Sequence, residues 1–272
     1  WAAGDAQAKG FLIGATSGRT TLNGEGLQHQ DGHSHVLSST IPNCLSYDPA
    51  FAYEVAVIIK DGIKKMYVDK KNYFYYITTT NENYEHPPMI EGAEESIIKG
   101  MHKIESAENP DIRLIGSGAI LRESIRAKSI LDTYNIKSEV WSVTSFNLLR
   151  KDGMEVERFN QLNPDLDEKI SYVEECFDGK SIPVIASTDY MRSYAEQIRP
   201  YIKAKYNVLG TDGYGRSDSR EMLRGFFEIN ANSIVRASAY SLFKEGTIDK
   251  KQLDVIYNDM GVDPSKPNPW EV

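Results

Sequence analysis

The chain has 272 residues, of which 40% are hydrophobic and 26% are charged, and its formal net charge is -8. This length suits two domains, and the composition is that of a globular protein rather than a disordered one. The acidic balance argues against a nucleic-acid partner, because a negative surface repels phosphate backbones. The sequence has no run of 18 apolar residues, so neither a transmembrane helix nor a membrane partner is predicted. Cys44 and Cys176 fit reduced thiols in a cytoplasmic protein rather than a disulfide framework or a zinc cluster.

The first residues and a proline pair indicate how the chain is organised. The sequence begins WAAGD, without Met, and resembles the middle of a helix, so we expect a piece of a longer polypeptide. Pro87 and Pro88 close a polar stretch, and neighbouring prolines exclude a helix or a central strand. We therefore predict one domain at residues 1–88 and a second at residues 89–272.

The predicted elements before the proline pair alternate between strand and helix. Short buried strands are predicted at residues 11–14 and 43–48. Apolar residues at helical spacing predict a helix over residues 52–66, and an aromatic run predicts a strand at residues 72–80. This alternation is typical of an α/β fold.

The alternation continues more regularly after the proline pair. Helices are predicted at residues 91–106, 121–134, 191–202, 233–244 and 250–260, and strands at residues 112–117, 138–144, 182–186 and 207–210. Such strand–helix units favour parallel pairing with right-handed crossovers. Ligands of such sheets bind at the carboxyl ends of the strands, so the loops at Gly116 and Asp212 are candidate sites.

The densest chemical signal is the histidine loop, residues 23–35, which reads NGEGLQHQDGHSH. It holds three of the five histidines, His29, His33 and His35, with Asp31 between the first two. Glycines permit sharp turns, so such a loop can bring several imidazoles to one point. Because an imidazole gains or loses a proton near neutral pH, the loop suits acid–base chemistry at a carbonyl or hydroxyl group.

Two other interpretations of the histidine loop stay open at this point. His33 and His35 have the i, i+2 spacing of a strand-like ligand pair, but no Cys or further spaced His completes a tetrahedral set. No metal ligand is therefore predicted. Alternatively, the histidines cap backbone groups or face solvent.

Polar loops after other predicted strands have two interpretations each. The turn at Gly116 either directs amides toward an anion or closes a helix against a strand. In the loop at Asp212 there are again two interpretations. Either Arg216 and Arg220 bind a carboxylate or phosphate while Asp212 accepts backbone amides, or Asp212, Arg216 and Asp218 form an internal ion network. Asp189 is either functional or the cap of the following helix.

Several segments together resemble one protein family. The longest matching segment covers residues 10–35, and shorter ones read IPNC (41–44), YDP (47–49), YEVAV (53–57), YYIT (75–78), NENY (81–84), STDY (187–190) and GTDGYGRSDSR (210–220). With these motifs the chain resembles the homodimeric, bacterial type of pyruvate dehydrogenase decarboxylase component, in the transketolase-like thiamine diphosphate superfamily. The resemblance covers nearly the whole chain.

The resemblance implies a fold, a reaction and partners. The expected α/β fold is the end portion of a thiamine-diphosphate pyrimidine-binding domain, followed by a transketolase C-terminal-like domain with a mainly parallel sheet. The implied reaction is the oxidative decarboxylation of pyruvate, with acetyl transfer to lipoyl groups of the dihydrolipoyl acetyltransferase core of the pyruvate dehydrogenase complex. Thiamine diphosphate and Mg²⁺ are the implied cofactors of a cytoplasmic homodimer.

The resemblance also assigns roles within the histidine loop. His29 matches the histidine that contacts the substrate-derived hydroxyl and carboxylate, and His35 matches the one near the cofactor and the reacting carbon. Asp31 and His33 lie between them and are supporting candidates. No cofactor-binding residue is assigned in this segment.

Two features of that family do not occur in this sequence. It has no Gly-Asp-Gly with a later Asn-Asn, which forms the family's diphosphate and magnesium site, and the family's catalytic glutamate would lie before Trp1. We therefore expect this chain to be inactive by itself. A transketolase, another 2-oxo-acid dehydrogenase and a non-catalytic dimerisation or assembly module remain the alternatives.

Overall fold

The aromatic run of residues 74–78 forms the centre of a small parallel sheet in the computed structural model, which describes residues 1–15 and 17–272. Its strands are β1 (Phe11–Gly14), β2 (Cys44–Tyr47) and β3 (Phe74–Thr78), in the order β1-β3-β2, and both pairings are parallel. Tyr75 and Ile77 of β3 are fully buried, which explains why an aromatic and β-branched run is a central strand. We call this the first sheet.

Four helices accompany the first sheet: α1 (Ala2–Asp5), α2 (Ser34–Ser38), α3 (Ala52–Ile63, followed by a π-helical segment Lys64–Val68) and α4 (Glu94–Lys99). Ile58 of α3 and Ile97 of α4 pack into one core with Tyr75. The helix α4 thus packs on the first sheet although it follows the proline pair. The boundary near residue 88 stays a prediction.

The second sheet has five strands: β4 (Met101–Glu105), β5 (Ile112–Gly116), β6 (Ser138–Val143), β7 (Val184–Ser187) and β8 (Tyr206–Leu209). Their order is β4-β6-β5-β7-β8, and only β4 pairs antiparallel among the described strands of this sheet. This arrangement confirms the predicted α/β fold with a mainly parallel sheet. Because parallel strands are covered on both faces, their residues are apolar without alternation.

The second sheet is covered by helices on both faces. They are α5 (Leu121–Thr133), α6 (Phe146–Leu162), α7 (Tyr172–Cys176), α8 (Arg192–Glu196), α9 (Arg220–Phe226), α10 (Ala231–Glu245) and α11 (Lys250–Asp259). Leu114 of β5 belongs to the core shared with α5, α10 and α11, whereas Ile115 belongs to the core shared with α6 and α8. In the part of the chain that the structure describes, no helix combines the length and apolar character needed to cross a bilayer.

Two predicted helices are wrong in extent. The helix predicted over residues 91–106 ends at Lys99, because Gly100 adopts a left-handed φ of 117° and the chain turns into β4. The helix predicted over residues 191–202 stops at Glu196 and resumes as a 3₁₀ turn, Arg199–Tyr201. Pro200 explains the break, since it lacks an N–H group and its ring would collide with the carbonyl of Glu196.

Glu54, in the first turn of α3, connects the two sheets. Its buried carboxylate accepts hydrogen bonds from the backbone of Ala50 (2.6 Å) and Phe51 (3.0 Å), next to the helix start. From the second sheet, the Ser142 hydroxyl donates to it at 2.6 Å and His102 Nε2 lies 2.7 Å away. One carboxylate therefore satisfies donors from both sheets.

We expect Glu54→Ala to lower the free energy of unfolding of the chain by roughly 3 kcal/mol, since it leaves several buried donors unpaired. Urea unfolding followed by circular dichroism measures this change. Glu108→Ala, at an exposed turn, is the control and should change stability by less than about 0.5 kcal/mol. Equal unfolding midpoints for the two variants would contradict the role of Glu54.

Candidate functional site

The histidine loop lies against the segment that follows β8. The Gly24 N–H donates to the Asp218 carbonyl at 3.0 Å, and the Ser217 hydroxyl donates back to the Gly24 carbonyl at 3.1 Å. Just before the loop, Arg220 Nε donates to the Thr21 carbonyl at 2.9 Å. The structure thus brings together two of the segments that the sequence singled out, the histidine loop and the loop at Asp212.

Gln30 fastens the loop between His29 and Asp31. Its buried amide donates to the Arg216 carbonyl at 2.5 Å, and its oxygen accepts from the Arg216 N–H at 2.7 Å. A side chain at Gly215 would lie 2.6 Å from the Leu27 carbonyl, so the close approach requires glycine there. This paired contact holds the backbone on the C-terminal side of His29.

His29 presents its imidazole to solvent. Its side chain is 60% exposed, and Nδ1 lies 3.1 Å from a carboxylate oxygen of Glu25, four residues earlier in the chain. If Nδ1 donates to this carboxylate, the tautomer leaves Nε2 as a free acceptor. The arrangement therefore offers one oriented ring nitrogen for proton transfer to a bound molecule.

Asp31 and His33 define the start of α2. The Asp31 carboxylate accepts from the N–H groups of His33 and Ser34, both at 3.0 Å, and from the Ser34 hydroxyl. His33 Nε2 lies 3.2 Å from Nη2 of Arg19. The Arg19 guanidinium also occupies the space beside Gly32, where a side chain would clash with it. Burial lowers the pKa of Arg19, and nearby carboxylates, Asp31 first, oppose that shift.

His35 lies in the core rather than at the surface. Its ring stacks on Tyr194 with centroids 4.8 Å apart and meets the edge of Tyr190 at 4.7 Å. Burial lowers the pKa of His35 to about 3, so the ring is neutral near pH 7. Its Nε2 lies 2.9 Å from the Thr78 hydroxyl, which itself donates to Asp48 at 2.7 Å. The proton of the neutral ring therefore lies on Nε2, and Nε2 donates a hydrogen bond to the Thr78 hydroxyl.

The three loop histidines thus occupy three environments instead of one shared point. His29 faces solvent, His33 contacts Arg19, and His35 packs among tyrosines. Among the described residues, no group of three or more His, Cys, Asp or Glu side chains is placed to hold a metal ion.

The loops at Gly116 and Asp212 contact neighbouring elements of the fold. A side chain at Gly116 would lie 2.7 Å from Cα of Leu121, so this turn closes α5 against β5. The proposed network of Asp212, Arg216 and Asp218 is wrong in its pairing. Asp212 lies 3.4 Å from Arg192, and the Arg216 guanidinium lies over the Phe226 ring, 5.4 Å from its centroid.

Comparison with protein families identifies both parts of the chain. Residues 1–87 match the family model described as the pyruvate dehydrogenase E1 component middle domain, and residues 100–230 match the transketolase-like TK C-terminal domain. A curated relative from Pseudomonas aeruginosa, named pyruvate dehydrogenase E1 component, is 55% identical over 276 residues and matches 100% of this chain. Along its whole length, the chain is therefore similar to part of a pyruvate dehydrogenase E1 component.

A second relative of the same name, from Escherichia coli strain K12, is 54% identical over 274 residues and matches 99% of the chain. The chain spans 31% of the length of both E1 relatives. Solved structures show the fold more widely. A transketolase mutant from Pichia stipitis has a TM-score of 0.64 at 16% identity, with 89% of this chain and 31% of that chain covered. A transketolase from Campylobacter jejuni has a TM-score of 0.55 at 13% identity, with 84% and 30% covered.

Sequence reasoning missed three residues that shape this E1 segment: Glu25, Gln30 and Arg19. Glu25 offered only a weak signal, a carboxylate four residues before a histidine, because it precedes the 3₁₀ turn Leu27–His29 and the two residues share no helix. Gln30 and Arg19 had none, because their partners, Arg216 and His33, are defined only by the folded chain.

We expect the buried state of His35 to make the chain sensitive to acid. Between pH 6.5, the ordinary pKa, and about 3, the unfolded chain binds a proton at this histidine and the folded chain does not. The free energy of unfolding therefore falls as pH decreases through this range. His35→Gln removes this contribution, so the stability advantage of the wild type should shrink by about 2 kcal/mol between pH 7 and pH 5.

Urea unfolding midpoints of both proteins at the two pH values measure this difference. Because Asp48 and the other buried acids are present in both proteins, the comparison isolates the contribution of residue 35. A stability gap that stays constant with pH would contradict the buried, neutral state of His35.

Proposed function

We propose that the chain is part of a thiamine diphosphate-dependent E1 component that decarboxylates pyruvate and transfers the acetyl group to lipoyl groups of an acetyltransferase core. The observation that carries this proposal is the identity of 55% with a pyruvate dehydrogenase E1 component across all of this chain. His29 supports the proposal: its imidazole contacts Glu25 and is exposed to solvent, and the reaction needs a group that exchanges protons at the substrate.

Within this proposal, His29 is the acid–base residue that this chain contributes. Thiamine diphosphate, when bound, supplies the carbanion that attacks the carbonyl of pyruvate. As that carbonyl oxygen gains negative charge, a proton donor within about 3 Å stabilises it. Glu25 orients the His29 ring, and the Gln30 contact keeps the backbone in place.

The other predicted residues take supporting places in the proposal. His33, next to Arg19, provides a polar wall, and Asp31 keeps α2 and its first turn in position. Between the two histidines predicted to be catalytic, the geometry favours His29 at the substrate. His35 is fully buried and acts on the site through Thr78 and the tyrosines.

The sequence does not contain the Gly-Asp-Gly and the later Asn-Asn that form the family's diphosphate and magnesium site. The proposal therefore assigns to this chain only the proton-exchanging side of the site, and the cofactor to other parts of the full-length protein.

The partners in this proposal follow from the family. We propose a cytoplasmic homodimer that works with the dihydrolipoyl acetyltransferase core of the pyruvate dehydrogenase complex, without nucleic-acid or membrane partners. A transketolase activity is the alternative reaction within the superfamily that the chain resembles; the similar solved transketolases, at 13–16% identity, support the fold alone. Assays of the full-length protein with pyruvate, 2-oxoglutarate and sugar phosphates distinguish these reactions.

We expect the purified 272-residue chain, mixed with thiamine diphosphate, Mg²⁺ and pyruvate, to release no CO₂, whereas the full-length protein does. The physical reason is that the sequence has no Gly-Asp-Gly and no Asn-Asn, the residues with which the family holds the diphosphate and the magnesium ion. Release of labelled CO₂ from carboxyl-labelled pyruvate measures this. Catalytic turnover by the chain alone would contradict the division of the site.

We expect His29→Ala in the full-length protein to lower kcat for acetyl transfer to lipoamide by about 10²–10⁴-fold, the usual contribution of a general acid–base residue. His86→Ala removes an exposed histidine outside the loop and should leave kcat within about twofold. Near-wild-type kcat in the His29 variant would refute this role.

A further inference from the structure

Asp189 makes a contact that neither helix capping nor sheet formation requires. It lies two residues after the end of β7 and is only 2% exposed. One carboxylate oxygen accepts from the Thr20 hydroxyl at 2.8 Å, and the other accepts from the Thr20 N–H at 3.2 Å. The expectation that Asp189 caps the next helix is wrong, because α8 begins after Met191 without a side-chain cap. Its carboxylate points toward residues 18–20, which precede the histidine loop.

Residues 18–20 wrap closely around this aspartate. Gly18 has a left-handed φ of 74°, and a side chain there would clash with the Asp189 carboxylate. The next residue, Arg19, donates its N–H to the Asp189 carbonyl at 3.2 Å. Three successive residues of the first-sheet part are therefore shaped by one residue of the second-sheet part.

The burial of this carboxylate is costly without a compensating interaction. Burial raises the pKa of Asp189 to about 7, and the positive charge of Arg224 opposes that rise. Arg224 also contacts the same threonine, with Nε donating to Thr20 Oγ1 at 3.3 Å. The carboxylate, the threonine and the arginine thus form one buried group at the junction of the two sheets.

The contact extends from Thr20 to the histidine loop. Arg19, held beside Thr20, lies 3.2 Å from His33 and fills the space next to Gly32. The Gly32 carbonyl accepts from the N–H of Met191, which is two residues after Asp189, at 3.0 Å. The strand end that bears Asp189 therefore touches both ends of the segment containing His29.

We propose that Asp189 is a positioning residue for the reaction: through Thr20 and Arg19 it sets the conformation of residues 18–33 and thereby the placement of His29 and His33. This inference rests on the proposed function for its kinetic consequence. Its conformational consequence is independent of the reaction.

Asp189→Asn in the full-length enzyme tests the proposal. Asparagine keeps the shape but turns an N–H₂ group toward one of the two Thr20 donors and removes the charge opposite Arg224. We expect kcat for lipoamide acetylation to fall about tenfold or more with KM changed less than about twofold, since small misplacements of reacting groups slow the chemical step. Amides of residues 17–35 should exchange hydrogen faster, while those of β5 and β6 keep their protection.

Two variants of Thr20 test the same contact without changing Asp189. Thr20→Val removes the hydroxyl donor and should reproduce the kcat loss in part, whereas Thr20→Ser retains it and should restore near-wild-type kcat. Because both residues act through one contact, Asp189→Asn and Thr20→Val combined should lose less than the product of their separate effects. Asp167→Asn, an exposed aspartate, is the control and should match the wild type.

The outcomes separate the positioning role from the proposed function. Unchanged exchange in residues 17–35 of Asp189→Asn overturns the proposal, as does faster exchange throughout the second sheet, which indicates a general folding role. Additive kcat losses in the double variant overturn it as well. Absence of pyruvate activity in the wild type refutes the proposed function, while the exchange comparison still decides whether Asp189 positions the loop.

Discussion

Hydrogen bonds donated and accepted across the two sheets determine the shape of the candidate site. The segment from residue 17 to residue 33 is neither a long helix nor a strand, so its buried polar groups need partners from elsewhere in the chain. Those partners follow the ends of β7 and β8: Asp189 for Thr20, Met191 for Gly32, and Arg216 for Gln30. The site is therefore built at the carboxyl ends of parallel strands, where α/β proteins place their ligands.

Buried carboxylates reinforce the same junction. Glu54, at the start of α3, accepts from Ser142 of the second sheet, and Asp189, after β7, accepts from Thr20 in the segment that follows β1. Asp48 is held in a similar way: its N–H donates to Thr144 at 2.7 Å, and its carboxylate accepts from Thr78. Burial raises the pKa of Asp48 to about 7, opposed by its hydroxyl donors, Thr78 first. Because an unpaired buried carboxylate is costly, these contacts fix one relative placement of the two sheets.

The histidines show how one short loop provides different chemistry at each position. An exposed imidazole with a carboxylate on one nitrogen suits proton exchange with a substrate, which is the case for His29. An imidazole enclosed by aromatic rings cannot easily gain a proton, so His35 provides a fixed neutral donor to Thr78. Their separation by six residues in the sequence therefore says little about their roles. The 3₁₀ turn ends at His29, and α2, which contains His35, begins at Ser34, so the two histidines lie in different structural elements.

Much of the fold follows from local patterns in the sequence. The strands at Phe11–Gly14 and Phe74–Thr78 and the helix at Leu121–Thr133 were predictable, since periodicity and β-branched or aromatic content are properties of neighbouring residues. The strand at Met101–Glu105 was not, because it exists only through pairing with a distant strand. The helix at Phe146–Leu162 was also missed, since few of its residues are buried.

The candidate site, like the fold, has some features that local sequence predicts and others that depend on distant residues. The sequence alone determined which residues we propose for the chemistry: the motif around His29, Asp31, His33 and His35 is continuous, and its resemblance to a known family is local. Only the tertiary structure decided that His29 is exposed, that His35 is enclosed, and that Asp189 and Gln30 hold the loop. The reason is physical. Burial and hydrogen-bond partners arise from chain segments up to 204 residues apart, and spacing along the sequence does not encode them.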